Sequence, residues 1–197
     1  MAFLTPSGAA AIDWDAAVYN LLPQTELMLL GLNFAVMPGF IPALVAREAA
    51  VQTDLFQNID MRRCTYAEQP DFSGFEMNWY SQINFNDSVF QSQTLDASRF
   101  PVIPEGATVS VCCAGIVRAV GNWGALPDEN GNQVFLLGDN SLIQESVDNV
   151  LVTMASAPSN WGGVLILSGG ANSSPSATGL AAKATLEGRG WYVEVNE

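Results

Sequence analysis

Seven short segments with an apolar-x-apolar core recur along the 197-residue chain, and their spacing constrains its fold more than any other feature. They carry Met28 and Leu30, Ile59 and Met61, Ile83 and Phe85, Val109 and Val111, Phe135 and Leu137, Leu165 and Leu167, and Val193 and Val195. Their first positions are separated by 31, 24, 26, 26, 30 and 28 residues. Alternation over so few residues marks strands with one buried face. A near-constant period says that each strand and its return segment form one unit that must stack on the next to bury that face. Between the last strands, SVDNVLVTMASAP and SATGLAAKATLEGRG read as short helices, with Ser146 and Ser176 as N-caps and Gly188 or Gly190 as stops. Strands joined through helices run parallel. The expected fold is α/β: a solenoid over residues 25–197 with a parallel sheet of about seven short strands and short helices or irregular return segments. Residues 1–24 form a capping or attachment segment carrying Phe3, Trp14 and Tyr19. The competing arrangement sets unrelated short strands in another α/β or sandwich fold, and antiparallel pairing between neighbours would favour it.

Composition narrows the function classes. With 49% hydrophobic and 14% charged residues the chain can bury a core and is not of disordered type. A net charge of −13 repels phosphate backbones and anionic membrane surfaces, so neither nucleic acid nor a membrane is expected as partner. Histidine is absent and Lys183 is the only lysine, which removes imidazole as general base, nucleophile activator or metal ligand. The first residues lack a basic n-region and a long apolar run, and nothing approaches the roughly 20 apolar residues of a membrane span, so a soluble chain without a secretory leader is expected. Cys64, Cys112 and Cys113 are odd in number and lack zinc-like spacing; reduced thiols are the expectation, with no metal and no cofactor.

Asn140 follows the strand containing Leu137 at the offset of the N/C position in the leucine-rich-repeat motif L-x-x-L-x-L-x-x-N/C, where a side chain satisfies backbone groups at the turn off the strand. Asn33 and Cys64 fit the same slot, whereas Ser88, Ala114 and Gly170 occupy it elsewhere. From Asn140 to the end, Leu142, Ser146, Val147, the run LSGGANSSPSATGLAAKATLEGRGW and the closing VEVN resemble the C-terminal leucine-rich-repeat-like module of tailed-bacteriophage and prophage structural proteins, tail-fibre and virion-surface types above all. The resemblance covers residues 140–197 and implies a non-catalytic structural or recognition role in a virion.

In such a solenoid the strand residues pointing away from the core line an open face. In the middle units these are Asn58, Asp60, Gln82, Asn84, Thr108 and Ser110, with Arg62 alongside, a set suited to hydrogen-bonding sugars or polar backbones. An ordinary solvated face has the same composition. In the flanking units they are Leu27, Leu29, Val134, Leu136, Val164 and Ile166, an apolar patch expected to be covered in a homo-oligomer, a trimer being favoured by the symmetry of phage appendages.

Other motifs are weaker. Asp128, Asn130 and Asn132 alternate as in a calcium loop, but Gln133 stands where glycine is required, and a turn at Asn130-Gly131 explains them. Two sequons, at Asn86 and Asn172, matter only in a secretory setting. No glycine-rich run has phosphate-loop spacing. Asp60, Asp87 and Asp139 are the carboxylates that a glycosidase of host polysaccharide would use. Three readings thus stand: a tail-fibre or tail-associated virion protein that binds other virion proteins and a host glycan or protein, a capsid decoration protein, and a carboxylate glycosidase.

Overall fold

In the computed structural model, which describes residues 26–36, 39–51, 58–128, 131–157 and 162–197, seven three-residue strands lie side by side in the order of the chain. They are β1 (Glu26–Met28), β2 (Asn58–Asp60), β4 (Gln82–Asn84), β7 (Thr108–Ser110), β9 (Val134–Leu136), β10 (Val164–Ile166) and β11 (Tyr192–Glu194). Every neighbouring pair is parallel. The chain is thus α/β with a parallel sheet and no antiparallel step among the described residues. About seven strands were expected, and eleven are present among the described residues: β3 (Thr65–Tyr66) pairs with β5 (Val89–Phe90), and β6 (Thr94–Asp96) with β8 (Arg118–Val120), in two further parallel sheets. The N-terminal segment 1–24 lies outside the described residues.

The register corrects the reading of the first unit. Leu27, not Met28, stands opposite Ile59, and the row continues through Ile83, Val109, Phe135, Leu165 and Val193. From Ile59 onward this row is buried, as is the row two residues on, from Met61 to Leu167. Met28 is 53% exposed, and Leu29 packs against the core. A one-residue slip exchanges the two faces of a strand. The open-face position of the first unit that pairs with Asp60 is therefore Met28, and not Leu27 or Leu29, and Leu30 aligns with Arg62 beyond the strand. The same slip moves Asn33 out of the turn slot; it bridges Thr65 instead.

Two columns of left-handed residues bracket these strands and keep them short. Four residues past the central position stand Gly31, Arg63, Asp87, Cys113, Asp139 and Gly169, all with φ between 54° and 85°. Before the strands stand Tyr80, Gly106, Asn132 and Gly190, with φ between 60° and 90°. A left-handed residue ends an extended run, so β4, β7 and β9 are each confined between two such corners, while among the described residues β1, β2, β10 and β11 have one each.

Among the described residues three α-helices supply the longer returns: α1 (Phe40–Val51), α2 (Gln144–Ser156) and α3 (Ala177–Gly188). In α2, Val147, Val150, Leu151 and Met154 recur at helical spacing and are buried. Ser146 does not cap this helix. The helix begins at Gln144, so Ser146 is a buried first-turn residue. Ser176 does cap α3, accepting from the Thr178 and Gly179 N–H groups, while the Asp148 carboxylate of α2 accepts from the Ser176 N–H at 2.9 Å. Gly190 ends α3: its N–H donates to Glu187 O and that of Trp191 to Leu186 O, the paired bonds of a Schellman turn that needs its left-handed φ of 90°. Between the helical ends, aromatic rings fill the core, Tyr66 stacking on Phe34 and on Phe90 with centroids 5.2 and 4.9 Å apart.

Candidate functional site: the open face of the parallel sheet

The first and third residues of each strand form two rows across the sheet. One runs Asn58, Gln82, Thr108, Val134, Val164, Tyr192; the other runs Met28, Asp60, Asn84, Ser110, Leu136, Ile166, Glu194. All the residues read as polar contacts therefore come together on one face, with Arg62 two residues beyond Asp60. The apolar Val134, Leu136, Val164 and Ile166 form one half-buried block beside them. Leu29 is not part of that block, and the Leu27 side chain lies outside the described region.

The polar half is internally braced. Asp60 is 8% exposed and takes Arg62 through Nε at 2.9 and 3.0 Å and through one terminal nitrogen at 2.6 Å. These bonds hold the Asp60 carboxyl below its ordinary value, against the opposing effect of burial. Asn84 Oδ1 accepts from the Asn86 N–H, and Asn86 Oδ1 accepts from the Ser110 hydroxyl at 2.8 Å and the Cys112 N–H at 2.7 Å. Two expected contact residues are thus supports: Ser110 is buried with its hydroxyl proton committed, and Asp60 is neutralised by its neighbour. Asn58, Gln82 and Thr108 remain half-buried on the open row. Asn86 was missed by sequence reasoning, although its parity with Gln82 and Asn84 places it on the same face.

Behind the strand ends a second set of side chains ties units together at four of the six steps. The Cys64 thiol donates to Leu29 O, the Ser88 hydroxyl to Met61 O, Asn140 Nδ2 to Val111 O, and Asn172 Nδ2 to Leu137 O. Each caps the carbonyl that ends the core strand of the preceding unit. Asn140 thereby does what its position promised. In the following unit Asn172, and not Gly170, does the same, because the successive left-handed Gly169 and Gly170 lengthen the turn.

The remaining candidate chemistry is dispersed. Asp87 and Asp139 are left-handed turn residues two units apart, and Asp60 is on the open face, so the structure does not gather the three carboxylates into one cleft. Burial raises the Cys64 and Cys112 thiols, and slight desolvation with the nearby Asp139 and Asp87 raises Cys113, so all three favour the protonated form. A cleft of about 340 Å³ between β8 and α2 is lined by Arg118, Glu145, Asp148 and Asn149. Its Asn149 amide already donates to Ala119 O and Gly121 O, and Asp148 accepts from Ser176, which makes it a seam between units. Asp128, of the expected turn at 128–132, accepts from Gln133 Nε2 at 2.7 Å. Among the described residues no cluster of three or more Cys, Asp or Glu converges to hold a metal ion, and no helix is long and apolar enough to cross a membrane. No family model, no curated protein and no solved structure matches the chain.

Proposed function

We propose that the stacked units form a leucine-rich-repeat-like solenoid, and that the chain is a non-enzymatic structural protein of a tailed-bacteriophage virion, of tail-fibre or tail-associated type. The observation that carries the architectural part is the repetition of one parallel step six times in constant register, with four of the six steps tied through a side-chain ladder. A sheet built this way gives a rigid extended face. The braced polar half supports a recognition role for a host-surface glycan or protein, since groups fixed in advance lose little entropy on binding. The virion assignment rests on the resemblance of residues 140–197.

The block of Val134, Leu136, Val164 and Ile166 supports self-assembly, with a trimer as the expected state. Long-range repulsion from the charge of −13 opposes it, but salt screens charges beyond roughly 8–10 Å, whereas apolar contact acts at the surface itself. Mass spectrometry of purified, fractionated particles tests the assignment: the chain is expected in the tail fraction, recovery with capsids would favour a decoration protein, and absence from particles would overturn the reading. Light scattering is expected to give a multiple of 21.0 kDa that Ile166→Asp returns to the monomer, and a wild-type monomer at micromolar concentration would refute assembly.

A further inference from the structure

One corner of the sheet breaks the conformational rule its neighbour obeys. At 104–107 the Ala107 N–H donates to Pro104 O at 3.1 Å, and Gly106 fills the left-handed corner with φ 70°. One unit earlier the same turn occurs at 78–81: the Ser81 N–H donates to Asn78 O at 3.1 Å, the Asn78 N–H donates to Ser81 Oγ, and the corner has φ 63°. There the residue is Tyr80. A turn with positive φ at its third residue calls for glycine or asparagine, and a bulky side chain in that place is strained. Burial does not offset the strain, since the Tyr80 side chain is 74% exposed and Trp79 beside it is 65% exposed. The ring is nonetheless held: a Cβ at Gly106 would lie 2.5 Å from Tyr80 Cε1, so the tyrosine rests against the backbone of the next turn because that turn has no side chain there.

The Tyr80 N–H donates to Glu105 O of the next turn at 3.2 Å, yet two large aromatic faces stay mostly in solvent at a strained corner, and an outlier of this kind is the starting point of a functional hypothesis. We infer that Trp79 and Tyr80 form a stacking platform for a neutral glycan, with Gln82 and Thr108 on the adjoining strands supplying amide and hydroxyl hydrogen bonds. Aromatic faces take up the apolar faces of sugar rings, the held Tyr80 ring at low entropic cost, and the flanking groups are polar but uncharged. The net charge of −13 disfavours acidic sugars and phosphates, which selects neutral rings. This deepens the recognition part of the proposed function. Its test reads binding by the purified protein, so it fails separately from the virion assignment, which is decided on particles.

The full chain is applied to an array of neutral and anionic oligosaccharides, and the strongest neutral hit is titrated by calorimetry against wild type, Trp79→Ala, Trp79→Phe and Tyr80→Gly. Wild type is expected to bind neutral members only. Trp79→Ala and Tyr80→Gly each weaken binding by roughly tenfold or more, and Trp79→Phe retains most of it. Tyr80→Gly removes the ring while relieving the corner, so its melting temperature is expected to match or exceed that of wild type, which separates lost binding from lost folding. The inference is overturned by no binding to any neutral member, by preference for anionic sugars, or by neutral binding that survives both Trp79→Ala and Tyr80→Gly.

Discussion

Replacing Asn140 by alanine tests the idea that a side-chain ladder holds the units together. Asn140 is 3% exposed and makes five hydrogen bonds to backbone groups. Its Oδ1 accepts from the Ala114 and Ile116 N–H groups at 2.9 and 3.3 Å, and its Nδ2 donates to the carbonyls of Val111, Leu137 and Gly138 at 2.6, 3.0 and 3.2 Å. Leu137 O keeps a second donor in Asn172. The two N–H groups lose the partner that spans the units, and an unsatisfied buried donor costs about 1–3 kcal/mol, less where water enters the vacated space. The sum is about 3 kcal/mol, which for a chain of this length lowers Tm by about 6–12 °C. Ser88→Ala removes only two such bonds, one from the Cys64 N–H at 3.1 Å and one to Met61 O at 3.0 Å, so its effect is expected to be clearly smaller. Asn140→Asp keeps the acceptor but turns a charged oxygen toward three carbonyls. Its deficit is expected to be large at neutral pH and to shrink as the acid is protonated. Circular dichroism melts of the four proteins measure the ranking, and amide exchange at Ala114 and Ile116 locates the damage, which matters because stacked units need not unfold in one step. If Asn140→Ala melts within about 2 °C of wild type, or no worse than Ser88→Ala, the ladder is not what secures the stack.

Three further outcomes are expected. Within one left-handed column Gly169→Ala and Cys113→Gly should have opposite signs: the alanine is strained at φ 85° with its Cβ against the Asp139 carboxylate, costing about 1 kcal/mol or more, while glycine at the exposed Cys113, φ 56°, is neutral or stabilising in urea titrations. Asp60 has a folded pKa below its unfolded one, so its contribution is present above the unfolded value near 3.8 and is lost as pH falls through the lower folded value. The stability gap between wild type and Asp60→Asn is therefore expected to close on acidification below pH ~4, and a gap independent of pH would contradict the Arg62 pairing. Phe135→Ala and Leu165→Ala, both fully buried in the central row, should each cost about 2–5 kcal/mol in denaturant midpoints, and near-neutral values would mean the row is misassigned.

What could be read in advance depended on whether a segment alternates. Ile59-Asp60-Met61 and Ile83-Asn84-Phe85 admit one register only, and their faces follow from the sequence. The run LMLLGL is apolar at five of its six positions, so alternation cannot choose between Leu27 and Met28. The choice is made by the corner, since Gly31 aligns with Arg63 and Asp87 in the left-handed column only if Leu27 stands opposite Ile59. The turn ladder was partly hidden for a different reason. Cys64, Ser88, Asn140 and Asn172 all cap a carbonyl, and any short donor of suitable reach will do, so the position carries no single residue type. The return segments, by contrast, are encoded in the spacing itself. With the corrected register the steps from Leu27 through Val193 are 32, 24, 26, 26, 30 and 28 residues. The three longest steps hold α1, α2 and α3; the three shortest return through short strands and 3₁₀ turns. A helix advances about 1.5 Å per residue and an extended chain about 3.3 Å, so crossing the same distance helically takes roughly twice the residues. A unit of 24 residues has none to spare for a helix. The length of each step thus decides how the chain comes back, and the middle of the molecule, where the steps are shortest, is also where the open face is polar and braced.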